Sequence, residues 1–130
     1  MPRLSPPRVE NEGICRVFKS RWFAREVRRS QIPDSELRAA VGQLIKGQGE
    51  DLGGGVWKKR LHRNADRAIV LARSGGHFFF VFLFAKSDRS NIRRDELQAF
   101  RRLSDAYAKL DRHRLDLLVE QGVLLEISDG

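Results

Sequence analysis

The chain has 130 residues, which is enough for one hydrophobic core and too few for two domains of ordinary size. Its 25 lysines and arginines outnumber 17 acidic residues, giving a formal net charge of +8 and a pI near 10.5. This surplus predicts a polyanionic partner, a nucleic acid or an acidic surface, and the alternative is a solvated basic protein.

Cysteine content and hydropathy indicate the compartment. Cys15 is the single cysteine, which excludes an internal disulfide and a cysteine-based zinc site and suits a reducing cytoplasm. The longest apolar stretch, Phe78–Ala85, has the length of a buried strand and is far shorter than a membrane span. No apolar segment follows Arg3 and Arg8, so a signal peptide is not expected. We expect a soluble, cytoplasmic protein without a membrane partner.

The N-terminal third predicts a leader, a strand and two helices. Residues 1–13 hold three of the four prolines and predict a disordered leader before a single domain, 14–130. A strand over 14–19 is followed by a helix that Ser20 caps, with Trp22, Phe23 and Val27 towards the core. A second helix begins near Pro33 and Asp34, ends at Gly47 and Gly49, and presents an apolar stripe of Leu37, Val41, Leu44 and Ile45.

Three strands follow these helices. Gly53–Gly55 lacks the Lys-Ser/Thr pair and helix of a phosphate-binding P-loop, so the triplet favours a tight turn. Strands are predicted over 56–62, 67–73 and 77–86, with Gly75 and Gly76 forming a hairpin. The last strand alternates Phe78, Phe80, Phe82 and Phe84 on one face with Phe79, Val81 and Leu83 opposite, which favours a central strand buried on both faces over a base-stacking platform.

The remaining sequence predicts two helices and an edge strand. The first helix covers 94–110, with Leu97, Phe100 and Leu103 at helical spacing. A shorter helix follows Asp111, and Gly122 ends it before a strand over 123–127. The order predicts an α+β fold in which two antiparallel N-terminal helices pack on a small, mainly antiparallel twisted sheet, with helices at the C-terminal end.

Cations concentrate on the three predicted strands. Because the side-chain period of a strand is 2, Lys58, Arg60 and His62 share one face. Arg67 and Arg73 share a face of the next strand in the same way. If the two faces coincide, the sheet carries a basic groove that contains a histidine.

Such a groove suits metal-free cleavage of RNA. The reaction needs a base for the 2′-hydroxyl, positive charge for the pentavalent phosphate and an acid for the leaving oxygen. Histidine is the side chain suited to proton transfer near neutral pH, so His62 is one candidate base. A lysine whose pKa is lowered by neighbouring cations is another candidate. The alternative for His62 is an exposed residue without a catalytic role. His62, His77 and His113 lack metal-ligand spacing, so neither a metal nor another cofactor is expected.

Three segments resemble a known family. The runs DLGGGVWKKRL and FVFLFAKSDRSNI, with the strand from Arg67 to Ser74 between them, are similar to RelE/ParE-superfamily type II toxins of the RelE/HigB-like branch. The resemblance covers about 14–127. It implies a RelE-like fold and a ribosome-dependent mRNA endoribonuclease that inhibits translation until a cognate antitoxin, commonly a small helix-turn-helix protein, binds it.

The family's basic positions and the residue pattern together give the candidate site. The candidate catalytic residues are Lys58, Arg60, His62, Arg67, Arg73 and Lys86, and the candidate RNA-binding residues are Lys59, Arg63, Arg89 and Asn91. The implied partners are the antitoxin, the ribosome and mRNA. Two other functions stay open: inhibition of gyrase, as in the ParE branch, and RNA binding without catalysis by a phage-derived protein.

One departure from the family bears on Arg67. Members of this branch usually carry a longer Gly- and Ser-rich insertion before the arginine, whereas here only 63–66 intervene. Trp57 also stands where tyrosine is common. The shortened hairpin raises the question of whether Arg67 reaches the groove.

Overall fold

The structure, a computed structural model, describes residues 15–128. The predicted leader therefore lies outside the described residues. Within the described range the elements are β1 (Val17–Ser20), α1 (Arg21–Arg29), α2 (Asp34–Ile45), β2 (Glu50–Gly53), β3 (Val56–Leu61), β4 (Asp66–Ala72), β5 (Phe78–Ala85), α3 (Arg94–Ala108), α4 (Arg112–Glu120) and β6 (Leu124–Ile127).

The strands form one six-stranded sheet in the order β2-β3-β4-β5-β1-β6. Neighbouring strands are antiparallel except for β1 and β5, which are parallel. The predicted α+β class, mainly antiparallel sheet and C-terminal edge strand are confirmed. Strand β2 was not predicted, because Glu50 and Asp51 break the apolar alternation that marks a strand in sequence.

Helices cover both faces of the sheet. One cluster joins Phe23 and Val27 of α1 and Leu37 and Val41 of α2 to the face that carries Val70. The other cluster joins apolar side chains of α3 and α4 to the opposite face, which carries Ile69, Leu71 and Phe79. We call these the α1–α2 face and the α3–α4 face. The predicted packing of two N-terminal helices on the sheet is present, and their antiparallel orientation stays a prediction.

A bulge interrupts the predicted phenylalanine row in β5. Ile69 and Val70 of β4 pair with Phe82 and Phe80, so Val81 is an extra residue on β5. Phe80 therefore packs on the α1–α2 face, whereas Phe82 packs on the α3–α4 face. The prediction of four phenylalanines on one face was wrong, because one inserted residue shifts every later side chain to the other face. The prediction that β5 is central is confirmed.

The first two helices follow their sequence signals with two exceptions. The Ser20 hydroxyl accepts a hydrogen bond from the Phe23 backbone N–H at 3.1 Å, which is the predicted N-cap. Trp22 is 36% exposed and stacks on Phe82 with ring centroids 5.1 Å apart. It therefore packs at the edge of the core and is not buried within it. Ile45, the last residue of α2, is 65% exposed, and its predicted place in the core stripe was wrong.

Three consecutive glycines form the tight turn that the sequence predicted; Gly53 ends β2, and Gly54 and Gly55 lead into β3. Gly53, Gly54 and Gly55 have φ values of +85°, +65° and +80°, a region that L side chains rarely adopt. A Cβ on Gly54 would lie 2.6 Å from Cγ of Arg101 on α3. The Arg101 guanidinium donates to the carbonyl oxygens of Gly53, at 3.3 Å, and Leu52. We call residues 53–55 the glycine turn; it is bound to α3.

Candidate functional site

The register of β3 and β4 brings the predicted cations to one face. Arg60 pairs with Arg67, and Lys58 pairs with Ile69. Cross-strand partners point to the same side of a sheet, so all three cations lie on the α3–α4 face with Ile69. The two basic faces predicted from the separate strands therefore coincide.

An open cavity of about 630 Å³ lies over these residues. Five cationic side chains and one carboxylate contribute to its wall. We call it the basic cavity; its lining residues are Gln48, Gly49, Glu50, Lys58, Lys59, Arg60, Arg67, Lys86 and Ser90. Four of these cations were candidate catalytic residues, and Lys59 was a candidate RNA-binding residue.

Lys58 is held in position at the wall of the basic cavity. Its side chain is 13% exposed, and its ammonium lies 3.1 Å from a carboxylate oxygen of Glu50 on β2. The same ammonium donates to the carbonyl oxygen of Ser90 at 3.4 Å. These contacts from both sides restrict the direction in which Lys58 points.

Lys59 is a residue of the basic cavity with a lowered pKa. Partial burial lowers the pKa of Lys59, because burial disfavours the charged ammonium, and the positive charge of Arg60 lowers it further. Lys59 pairs with Ala68 and so belongs to the α1–α2 face by alternation. Lys59 still lines the basic cavity. The pairing of β2 with β3 begins at Glu50, opposite Lys58, so β2 does not extend past Lys58 and Lys59 lies at the open edge of the sheet.

Arg67 reaches the basic cavity despite the short β3–β4 turn. Its Nη1 donates to the carbonyl oxygens of Asn64, at 3.1 Å, and Asp66, at 3.2 Å. Both acceptors belong to the turn or to the strand end that follows it. Among the described residues, Nη2 and Nε of Arg67 have no acceptor, so this side of the guanidinium can bind an anion in the cavity.

His62 lies outside the basic cavity. Strand β3 ends at Leu61, and His62 begins a turn in which His62, Arg63 and Asn64 have φ values of 56°, 54° and 71°. Its Nδ1 lies 2.9 Å from a carboxylate oxygen of Asp66. His62 and Arg63 line a separate cavity of about 170 Å³ beside α2. The expectation that His62 shares a face with Lys58 was wrong, because the left-handed turn ends the alternation of the strand.

Arg73 also lies away from the basic cavity. It follows the last residue of β4, at the opposite end from Arg67, and its Nε donates to the Ser104 hydroxyl at 3.0 Å. Its Nη2 donates to the Gly54 carbonyl oxygen at 3.2 Å and pairs with Asp105. The expectation of one groove containing both Arg67 and Arg73 was wrong, because the five residues of extended strand at 68–72 separate them.

Arg89 and Asn91 have structural contacts of their own. The Arg89 guanidinium donates two hydrogen bonds to the Glu96 carboxylate, at 3.0 and 3.1 Å, and lies 5.2 Å from the ring centroids of both Phe82 and Phe84. These hydrogen bonds lower the pKa of Glu96. The Asn91 side-chain oxygen accepts from the Ile92 N–H at 2.9 Å. Arg89 thus fixes the loop that brings Ser90 to the basic cavity.

Glu50 and Ser90 are cavity residues that the sequence analysis missed. Glu50 lies opposite Lys58 only because β2 pairs with β3 across the glycine turn. Predicting a β-hairpin with its turn at Gly54 and Gly55 would have placed Glu50 opposite Lys58. Ser90 contributes through its backbone carbonyl to Lys58, and a backbone contact of this kind has no signal in the sequence.

The described part of the chain lacks two further features. Residues 15–128 contain no group of three or more His, Cys, Asp or Glu side chains placed to hold a metal ion. None of the helices described is long and apolar enough to cross a membrane.

Comparison with known proteins identifies the family. No match was found among curated proteins or among solved structures. A family model described as the RelE toxin of the RelE/RelB toxin–antitoxin system matches residues 15–127, nearly the whole chain. Membership of such a system implies a cognate antitoxin as partner. The chain belongs to the RelE family of toxins, each the toxin component of a toxin–antitoxin pair.

Proposed function

We propose that this toxin is a metal-independent endoribonuclease that cuts mRNA on the ribosome and so inhibits translation. The observation that carries the proposal is the basic cavity, where cationic side chains from β3, from β4 and from the segment after β5 surround one open space. Such a cavity attracts the phosphate backbone of RNA and stabilises the additional negative charge of a pentavalent phosphate. An mRNA-cutting toxin acts in the cytoplasm, where its substrate is translated.

The proposed reaction is attack by the RNA's own 2′-hydroxyl. The bond between the 2′-oxygen and phosphorus forms as the bond between phosphorus and the 5′-oxygen breaks. A base takes the proton of the 2′-hydroxyl, and an acid gives a proton to the departing 5′-oxygen. The products are a 2′,3′-cyclic phosphate and a 5′-hydroxyl. This balance requires no metal, oxidant or second substrate.

Arg60 and Arg67 suit the role of binding the phosphate. They are cross-strand partners that line the same cavity, and a guanidinium can donate two parallel hydrogen bonds to one phosphate. Lys58 and Lys86 add positive charge at the wall of the cavity. We assign these four residues to electrostatic stabilisation of the transition state.

Lys59 suits the transfer of a proton. Burial and Arg60 lower its pKa, so a larger fraction of Lys59 is neutral near physiological pH than of an ordinary lysine. His62 is less suited, since its ring faces Asp66 in the turn and lies outside the cavity. We therefore propose Lys59 as the base that accepts the 2′-hydroxyl proton.

The ribosome supplies what the cavity lacks. Most of the residues that line the cavity are cationic and suit phosphate groups, which carry no direct sequence information. The cavity is also open, so it restrains a flexible RNA strand weakly. A ribosome that presents mRNA in a fixed conformation would supply this positioning and so raise the rate. Dependence on the ribosome is thus part of the proposal.

The cognate antitoxin would act by masking the basic cavity. We propose a small helix-turn-helix protein with a segment that folds on binding and covers the cations. Co-expression with the gene beside this one should restore growth, and a complex that leaves the cavity exposed would contradict the masking.

Primer extension on translating ribosomes tests the function. We expect the protein to cut mRNA and leave a 5′-hydroxyl end, which accepts phosphate from a kinase. Arg67→Ala should lower the cleavage rate by about 10²–10³-fold, the usual loss for one donor to a developing oxyanion. The fold should persist, because Arg67 donates only to two carbonyl oxygens at the turn. Arg112→Ala, an exposed arginine of α4, is the charge-matched control.

Several results would contradict the proposal. A 5′-phosphate end would indicate attack by water and exclude the 2′-hydroxyl mechanism. Inhibition of gyrase with intact mRNA would place this chain functionally with ParE-type toxins. Binding to ribosomes without a cut would indicate a non-catalytic protein. Equal activity of the Arg67→Ala and Arg112→Ala variants would show that the basic cavity is not the active site.

A further inference from the structure

The outer side of α1 carries a second concentration of positive charge. Arg21, Arg25, Arg28 and Arg29 follow the spacing i, i+4, i+7 and i+8, which places them on one side of the helix. All four are exposed, and the side chain of Arg29 is 77% exposed. We call this surface the α1 arginine face.

The stability of α1 does not account for these arginines. Arg25 is three or four residues from Arg21, Arg28 and Arg29, and like charges at these spacings destabilise a helix. Arg28 and Arg29 suit the negative C-terminal end of the helix dipole, but Arg21 lies at the positive end, where no acidic residue offsets it. Glu26 is the acidic residue of α1, and it is mostly buried and 3.8 Å from Arg29.

We propose that the α1 arginine face is a second RNA-binding surface, which holds the phosphate backbone of a folded RNA apart from the segment that is cut. This inference rests on the proposed function in taking RNA as the target. Four guanidinium groups on one side of a helix suit phosphates, which accept two hydrogen bonds from each group. A protein partner would be expected to bury an apolar centre, and only Trp22, 36% exposed, adjoins these arginines on α1.

The position of α1 favours folded RNA over one extended strand. α1 packs on β5, β1 and β6 from the α1–α2 face, whereas the basic cavity lies over β3 and β4 on the other face. A single strand in the cavity would have to pass around the sheet to reach α1. A folded RNA presents several backbone segments at once, so it can occupy both surfaces.

Salt dependence of RNA binding tests the α1 arginine face. The variant is Arg25→Gln, Arg28→Gln and Arg29→Gln together; Arg21 is kept because its Nε donates to the Gly122 carbonyl oxygen at 3.0 Å. The matched control replaces three exposed arginines of α3 and α4 with glutamine, Arg102, Arg112 and Arg114. The probes are a fluorescent RNA hairpin and a single strand of equal length. Both carry 2′-O-methyl sugars, which keep the A-form geometry of RNA and prevent cleavage because the 2′-hydroxyl is blocked.

Each phosphate contact contributes about 0.7 to 0.9 to the slope of log affinity against log salt concentration. Loss of three contacts should therefore reduce the slope for the hairpin by about 2 to 3, with a smaller effect on the single strand. The control should change the slope by less than 1.

Equal effects of the two variants would show that net charge alone matters and would overturn the proposal. An unchanged slope in the α1 variant would also overturn it. Normal RNA binding by the α1 variant, combined with weaker binding of the antitoxin, would overturn it as well and would show that the face binds a protein. The assay does not depend on cleavage. If the protein cuts no RNA but the slope still falls, the proposed catalytic function fails and the second surface stands.

Discussion

The glycine turn offers a test of how α3 positions the basic cavity. A Cβ added to Gly55 would contact the Ser104 hydroxyl and lie 2.9 Å from Nε of Arg73. Ser104 is 2% exposed, so its hydroxyl cannot turn towards solvent. Gly55→Ala should therefore disrupt the hydrogen bond between Arg73 and Ser104 as well as strain the backbone.

Gly75→Ala isolates the cost of the backbone. Gly75 has a φ of +75°, close to the +80° of Gly55, but no atom lies within 4 Å of its added Cβ. Placing alanine in a left-handed conformation costs about 1 to 2 kcal/mol at either position. The steric overlap and the lost hydrogen bond should add about 2 kcal/mol at Gly55 alone.

Thermal and urea denaturation of the two variants measure this difference. An additional 2 kcal/mol corresponds to a melting temperature about 8 °C lower for Gly55→Ala than for Gly75→Ala in a chain of this size. Cleavage should also fall more in Gly55→Ala, since a displaced β2 would take Glu50 away from Lys58. Equal melting temperatures would refute the additional cost that we assign to the contacts of Gly55 with Ser104 and Arg73.

Three further predictions use local contacts and titrations. Ser20→Ala should lower the free energy of unfolding by about 1 kcal/mol, because the hydroxyl caps α1. Ser20→Gly should lower it by only a few tenths of a kcal/mol, because glycine is itself favoured at an N-cap. Urea unfolding measures both changes. Burial and the positive charge of Arg16 lower the pKa of His77 in the folded protein. The contribution of His77 to the free energy of unfolding is therefore complete above its unfolded pKa of about 6.5. It declines as the pH falls towards the folded pKa. His77→Gln should therefore lose less stability than the wild type between pH 7 and 5, and an equal loss would exclude His77 as the cause. With Lys59 as the base, the rate of single-turnover cleavage by the wild type should rise between pH 7 and 9 as more of Lys59 becomes neutral. Lys59→Arg should abolish this rise, because arginine stays protonated. An unchanged rise would assign the base to another residue.

Short-range sequence signals predicted much of the fold. The Ser20 cap, the glycine turn and the strands β3, β4 and β5 each depend on residues close together in the chain, and each is present in the structure. Four of the six candidate catalytic residues line one cavity for a related reason. Alternation assigns side chains to faces wherever a strand is regular.

Contacts between distant segments were not predictable in the same way. The bulge at Val81 is defined by how β5 pairs with β4, and the sequence of β5 alone does not show it. Arg67 and Arg73 share a face, yet the length of β4 and the contact with Ser104 separate them. The pairing of Glu50 with Lys58 likewise needed knowledge that β2 exists.

The shortened β3–β4 turn and the position of Arg67 have a common physical basis. Three successive residues, His62 to Asn64, adopt left-handed backbone that non-glycine residues normally avoid, and such strain persists only where other contacts enforce it. The Glu36 carboxylate accepts from the His62 backbone N–H, and Asp66 contacts the His62 ring, so the turn is held from α2 and from β4. In this conformation the Asn64 carbonyl oxygen accepts from Arg67, which directs the guanidinium at the basic cavity. A short turn that brings an arginine to the cavity therefore depends on strained backbone, and residues outside the cavity hold that backbone in place.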